Sequence, residues 1–310
     1  MAEDLGKRLL VEVEEVGLDE VLHILRLQVR PSSKFWFNVP QLDRLVLETT
    51  PESHLSSSKT NKPTQPIIEL TSISPGSGKT HFLYLLTALA VLPSDVGGKD
   101  ACVVFIDTDG TFSVPRLAQQ LQLIIKNDIT AKHEVHDIVL SALKHIHIFR
   151  PQSFASTIAT LDSLPGYLFA KTRHYSLDRP VSFIALNSAS AFYWQAKAEA
   201  ENASFLASTA PDEVSNTTRD QQPSAYAQLA SALKAASSSF CSGISVEEAR
   251  REAVDRQEAV AAGKYACVIN EWDVDERILR RLQKEGGDGI GFGFRIRAEG
   301  LRVDGNEAGA

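Results

Sequence analysis

The chain has 310 residues, 43% of them hydrophobic and 23% charged, with a formal net charge of −7 and a pI near 5.7. This is globular composition, too apolar for a disordered chain and long enough for one large α/β domain with appendages. It excludes a uniformly basic nucleic-acid grip, because such affinity comes from neutralising phosphates, and no apolar run is long enough to cross a bilayer.

The opening residues MAEDLGKR bring acids at once, unlike a secretory signal. Three widely spaced cysteines without a CxxC pair argue against a disulfide framework or a zinc site. Cys102 and Cys267 lie in apolar runs, so buried free thiols in a reducing compartment are expected.

Residues 5–29 place Leu5, Leu9, Val13, Val16, Val21, Leu22 and Leu25 near helical spacing, predicting one or two amphipathic helices broken around Gly17. Phe35, Trp36 and Phe37 stand between Pro31 and Pro40, and could pack on this chain's own core or dock into a neighbouring subunit. Residues 51–66 are polar and proline-punctuated and read as a linker after an N-terminal segment spanning 1–50.

From residue 67 the texture alternates. Residues 67–70 predict a buried strand, followed by the loop SISPGSGKT and an apolar helix stopped by Pro93. Strands are predicted at 102–106, 145–149 and 181–186, with helices at 115–126, where Pro115 suits the first turn, and at 153–168, where Ser153 is a candidate N-cap. Alternating helices and continuously apolar strands predict an α/β core with a mostly parallel sheet covered on both faces.

Residues 195–263 are rich in Ala and Ser and read as an insert carrying helices at 225–236 and 246–262. A fifth strand is expected at 265–270, a glycine-rich turn at 286–293, and a C-terminal β-hairpin from 294–298 and 301–303 closing the sheet. The core therefore spans 67–304, with 305–310 as a tail.

The basic groups Arg277, Arg280, Arg281 and Lys284, then Arg295, Arg297 and Arg302, read first as a solvated helix face and strand edges. The sharper alternative is a modest nucleic-acid contact. His145 and His147 would share one strand face, but no cysteine or acid completes a ligand set with them, His133 or His136, so no metal is expected there.

The chemistry gathers in three places. Gly76, Ser77, Gly78, Lys79 and Thr80 follow a strand and open a helix, the arrangement in which backbone N–H groups and a lysine cradle phosphates and a hydroxyl ligates Mg²⁺. The full pattern begins with glycine five residues before Gly78, where this chain has Ile73. Asp107 and Asp109 lie at the carboxyl end of the second strand, beside the crevice where open α/β sheets bind ligands. Capping of the following helix is the plainer role for Asp107. The strand 181–186 runs into Asn187, at the place where P-loop ATPases put the aspartate of the Mg²⁺ shell.

The order PGSGKT, FIDTDGTF followed by VPRLAQQL, and an apolar strand into NSASAFYW resembles the RecA recombinase family, most of all a eukaryotic recombination-repair paralogue. The resemblance is strong over residues 67–194 and looser through YACVINEW and GFRIRAEGLRVD. It implies a RecA-like P-loop ATPase core that binds ATP and Mg²⁺ through Lys79 and Thr80, with Asn187 in the metal shell and Asp109 where active members carry a water-activating glutamate. Ile73, Asp109 and Asn187 all depart from the active pattern, which implies nucleotide binding with weak turnover. It further implies an accessory subunit that assembles with other RecA paralogues, meets DNA through that complex and works in the nucleus. The alternatives are a structural interaction protein with a vestigial nucleotide site and, behind it, a P-loop small-molecule kinase.

Overall fold

The computed structural model describes residues 36–49, 67–72, 76–125, 132–209, 224–240, 242–246, 264–268, 291–298 and 300–303. All lie in the compact unit Lys34–Ala310.

Five parallel strands form the central sheet: β1 (Ile67–Leu70), β2 (Cys102–Asp107), β3 (Ile146–Phe149), β4 (Val181–Asn187) and β5 (Ser242–Val246), in the order β1-β5-β4-β2-β3. β2 and β4 alternate with period two but are apolar at both phases, so each face is buried there. Val103, Phe105, Phe183 and Ala185 face one core with helices α2 (Lys79–Val91), α3 (Val114–Ile125) and α4 (Lys132–Leu143). Val104, Ile106, Ile184 and Leu186 face a second core with α5 (Phe154–Leu168) and α7 (Ala225–Phe240). Between them in sequence, α6 (Tyr193–Thr209) leaves Tyr193, Trp194 and Phe205 exposed, while Phe192 packs into the second core.

Ser153 caps α5 as its sequence predicts, in a reciprocal box: its hydroxyl accepts the Ser156 N–H, and the Ser156 hydroxyl accepts the Ser153 N–H. Helix α1 (Pro40–Thr49) joins the first core through Leu42, Leu45 and Val46. Its Asp43 carboxylate accepts the N–H groups of Phe37, at 2.7 Å, and Val39, at 3.1 Å. That fixes the turn which buries Phe37, whose ring centroid lies 6.1 Å from Phe183. Phe37 therefore packs on this chain's own core.

Three further strands, β6 (Lys264–Val268), β7 (Gly291–Arg297) and β8 (Gly300–Val303), form a separate antiparallel sheet in the order β6-β7-β8. Phe292, Phe294 and Leu301 turn inward, and Phe292 and Phe294 each lie 5.8 Å from the Phe82 ring of α2. The buried Gln120 of α3 acts as a partner for β8, donating to the Leu301 carbonyl at 3.1 Å and accepting the Leu301 N–H at 2.7 Å. Gly300 makes this approach possible, since a Cβ there would lie 2.4 Å from Gln120 Oε1.

Several expectations need correction. The fifth parallel strand is Ser242–Val246, inside the stretch read as an insert, and β6 with the hairpin forms its own sheet. Ser-Gly-Ile-Ser-Val has little strand signal of its own and is held by backbone pairing to β1 and β4 on its two edges. The sheet therefore stops at β1 as an edge strand, with Ile67 exposed and only Ile68 and Leu70 packed on the core. The helices over 5–29 and the linker over 51–66 lie outside the described residues. So does most of the helix expected over 246–262, whose first residue is instead the last of β5.

His145, just before β3, and His147 within it do share a face, and both are buried against the loop that follows α5. The Ser176 hydroxyl sits 2.9 Å from His145 Nδ1 and 3.0 Å from His147 Nε2, while His147 Nδ1 meets the Tyr167 hydroxyl at 3.0 Å. Burial, then the neighbouring rings of His174 and His145, push His147 down to about 4. A histidine held below its free value takes up its proton more readily in the unfolded chain. Its contribution is thus complete above about pH 6.5 and is lost as pH falls towards 4, by at most about 1.4 kcal/mol per pH unit. Urea midpoints between pH 7 and 4.5 are expected to fall more steeply for the wild type than for His147→Gln. Parallel pH profiles would show that another group carries the dependence.

Candidate functional site

The carboxyl ends of the parallel strands deliver the predicted groups to one edge of the sheet. Gly76 and Gly78 take left-handed φ angles of 80° and 84°, which only glycine adopts without cost. The first turn of α2 has no side-chain cap, because its N-cap is Gly78. The N-cap therefore offers no side-chain acceptor to that turn, and the helix dipole favours an anion there. Lys79 Nζ donates to the Ser72 hydroxyl and contacts the Ser77 hydroxyl at 3.4 Å, so the lysine is folded over the loop. A Cβ at Gly78 would come within 2.5 Å of Ile296 Cδ1, which shows how closely β7 underlies this turn. Ile73 lies outside the described residues.

One turn further along α2, the Tyr84 hydroxyl accepts the Ser113 N–H at 2.8 Å, and its ring meets Phe112 edge-on at 5.4 Å. Phe112 in turn packs at a tilt against Phe105 of β2, with ring centroids 4.4 Å apart. These contacts tie the phosphate-loop helix to the acidic loop after β2.

That loop is held by a polar network. Asp107 is buried and does not cap α3. It pairs with Arg150 Nε at 3.0 Å and accepts the Phe112 N–H at 3.3 Å. Asp109 Oδ1 accepts Asn187 Nδ2 at 3.0 Å, the Thr111 hydroxyl at 2.8 Å and the Thr111 N–H at 3.2 Å, while Oδ2 accepts the Ser188 hydroxyl. Burial pushes the Asp109 carboxyl up, but the bonds from Ser188 and Thr111 outweigh it, and the group lies below the usual carboxylate range. Ser188 holds a left-handed φ of 58°, a conformation a serine adopts at a cost of about 1–2 kcal/mol. The Thr108 hydroxyl secures this turn by donating to the carbonyls of Asn187, at 2.5 Å, and Ser188, at 2.7 Å.

The structure thus joins Asp109 and Asn187 directly. The arrangement fits a phosphate group at Gly76–Thr80. For a metal shell it offers the Thr80 hydroxyl but no acid on β4, and the Asn187 amide nitrogen is already engaged by Asp109 and, at 3.1 Å, by Thr111. Among the described residues no cluster of His, Cys, Asp or Glu suits a metal ion by itself. Sequence reasoning missed Ser188 and Thr111, which stood inside the motifs but were given no task. It also missed Arg150, whose one signal is its place just past the carboxyl end of β3.

No family model matches the chain. Among curated proteins it is similar to DNA repair protein RAD51 homolog 2 of Homo sapiens, 30% identical over 104 residues, 33% of this chain and 26% of that one. It is also similar to DNA repair protein XRCC2 of Mus musculus, 29% identical over 119 residues, 38% of each chain. A third relative is the DNA repair and recombination protein RadA of Methanoculleus marisnigri, 32% identical over 78 residues, 25% of this chain and 22% of that one. The chain spans well under half the length of these relatives. The resemblance read from its motifs is borne out, and the α/β core is of the RecA-like kind these relatives imply.

Proposed function

We propose that this RecA-type recombinase paralogue is an ATP-binding accessory subunit of a paralogue complex in homologous-recombination repair, nuclear, with little ATP hydrolysis of its own. The observation that carries the reading is the pair of left-handed glycines at an uncapped helix N-terminus, with Lys79 folded over it. ATP would be held by the backbone of Gly76, Ser77 and Gly78 and by Lys79, and Mg²⁺ by Thr80, with only a neutral Asn187 near the shell. The bound nucleotide would supply a charge-dense polyphosphate whose presence stiffens the loop and α2.

Asp109 supports the second half of the proposal. A useful general base has a pKa near the working pH and a free lone pair aimed at its proton. Asp109 has four donors on its two oxygens and sits below the usual carboxylate range, so it holds the loop rather than activating water. Assembly with other RecA paralogues, and DNA reached through them, are part of this proposal, and the likeness to named DNA repair proteins supports it. No helix among the described residues is long and apolar enough to cross a membrane.

The test is binding of a fluorescent ATP analogue with Mg²⁺, wild type beside Lys79→Ala, with phosphate release followed in the same samples. Loss of one charge-assisted phosphate contact removes about 1.5–3 kcal/mol, so affinity is expected to fall at least about tenfold while turnover stays low in both. Wild type that binds no nucleotide, alone or with a partner paralogue, would leave a RecA-shaped scaffold with a vestigial site. Phosphate transfer to a small-molecule acceptor would instead point to a kinase.

A further inference from the structure

The phosphate loop opens α2, and the acid loop that follows β2 opens α3. One side chain joins the two. Helix α2 is buried at every position from Phe82 to Ala88, hence on all sides, and responds to a pull at its N-terminus as a rigid element. Tyr84 stands five residues beyond Lys79, about 7.5 Å along the helix axis, and is 2% exposed.

Tyr84 touches two successive residues at the end of the acid loop. Its hydroxyl accepts the Ser113 N–H at 2.8 Å, and its ring meets Phe112 edge-on with centroids 5.4 Å apart. The two neighbours differ in what else holds them. Phe112 is fastened to the sheet, since its N–H donates to Asp107, its carbonyl accepts Arg150 Nη2 at 3.4 Å and its ring packs on Phe105. Ser113 is the last residue before α3, and its carbonyl accepts the Leu117 N–H at 3.1 Å to start that helix. Two turns on, α3 carries Gln120, the partner of Leu301 in β8.

The bond to Ser113 is constant. Burial pushes the Tyr84 phenol up, and the nearby Asp107 and Asp109 add to this, against the pull of the Ser113 N–H and Arg116. The phenol therefore stays protonated at neutral pH, and the tie does not come and go with a proton. The hydroxyl sets both distance and direction for Ser113, whereas the ring contact with Phe112 tolerates sliding.

We infer that Tyr84 is a positioning residue that passes occupancy of the phosphate loop from α2 to the start of α3. The inference rests on the reading that nucleotide binds at Gly76–Thr80. A polyphosphate drawn to the N-terminus of α2 steadies that helix. The Tyr84 hydroxyl then steadies Ser113, while Asp109, already satisfied by Asn187, Thr111 and Ser188, has little to gain.

The experiment is hydrogen exchange on the full chain with and without a saturating Mg²⁺–ATP analogue, whose binding is read by fluorescence in the same samples. The quantity compared is the exchange rate without analogue over that with it, for amides of residues 112–117. In the wild type this ratio is expected to be about fivefold or more, the lower end of ordinary coupling between sites. Tyr84→Phe keeps the ring and deletes the acceptor, so the ratio should fall to within about twofold of unity. Amides of residues 79–91 should keep their protection by the analogue, which also reports that the variant is folded. A hydroxyl with a merely structural role would speed exchange equally with and without analogue and leave the ratio unmoved. Thr87→Val is the control: it removes another buried hydroxyl bond from α2, to the Leu83 carbonyl at 2.8 Å, and should leave the ratio at its wild-type value. The inference is overturned, with the nucleotide reading left standing, by an unchanged ratio in Tyr84→Phe, by loss of analogue binding in that variant, or by an equal fall in Thr87→Val. A wild type that binds the analogue without slowing residues 112–117 does the same. A wild type that binds no analogue, alone or with a partner paralogue, overturns the nucleotide reading and the inference with it.

Discussion

Asn187→Asp is expected to lower stability by about 3–5 kcal/mol at neutral pH, and Mg²⁺ is expected to restore part of the loss. Asn187 is 2% exposed and its Nδ2 lies 3.0 Å from Asp109 Oδ1 and 3.5 Å from Asp107 Oδ1. An amide donates to both acids. A carboxylate in its place donates to neither and adds a third negative charge, itself buried, beside the buried Asp107 and the more exposed Asp109; among the described residues Arg150, paired with Asp107, is the cation that faces them. Introducing an uncompensated buried charge costs several kcal/mol unless it takes up a proton or a cation. Two signatures follow. The variant's deficit should shrink as pH falls from 7 to 5, because a carboxyl whose folded pKa is raised gains stability by protonation. Its urea midpoint should rise with millimolar Mg²⁺ while that of the wild type barely moves, since the ion binds only the folded acid cluster. Asn187→Ala separates the effects: it removes a donor, costs about 1–3 kcal/mol and should show no metal response. A variant as stable as the wild type at pH 7, or one indifferent to Mg²⁺, would refute the view that the amide stands where a cation would otherwise be needed.

That view bears on function. In this chain Asn187, Thr111 and Ser188 satisfy Asp109 completely from within the protein. An acid loop so satisfied keeps its shape without metal, so under the proposed reading the stiffening by nucleotide falls on the phosphate loop and α2. The tie from α2 through Tyr84 to Ser113 gives the loop one mechanical route to the acid cluster, and the packing of Ile296 beneath Gly78 gives it another to β7.

The sequence made the inner sheet and the phosphate loop legible because both depend on local signals. CVVFI and VSFIAL are apolar at both phases of a strand, and glycines before a lysine at a helix start have few other uses. What stayed hidden depends on partners distant in sequence. Ser242–Val246 is a strand because β1 and β4 offer it two edges, not because Ser-Gly-Ile-Ser-Val prefers to extend. Helix α4 has its stripe in Val135, Val139 and Ala142, one apolar face at helical spacing, which the intervening histidines and acids disguised. The Asp109–Asn187 bond joins residues 78 apart in sequence. Sequence placed both at the nucleotide edge, but not their engagement with each other.

Gln120→Ala carries the other large expected effect, about 2–5 kcal/mol, and it should be local. Edge strands leave backbone groups without partners, and β8 is such an edge. Gln120 answers it with both ends of one side chain, at 2.7 and 3.1 Å from Leu301 N and O, in a position 3% exposed. Truncation strands a buried donor and a buried acceptor together, at about 1–3 kcal/mol each. Gln120→Met, which fills the volume without the bonds, should lose nearly as much, whereas a cavity effect alone would be largely repaired by it. Hydrogen exchange reads the consequence directly. Amides of Leu301 and of residues 291–297 should exchange faster in both variants while those of β2 and β4 keep their protection. Because Phe292 and Phe294 cover Phe82 on the helix that begins at Gly78, ATP-analogue affinity should weaken alongside. Uniform acceleration across all strands would mean that the hairpin is part of the global folding unit, and no acceleration would mean that Gln120 does not hold it.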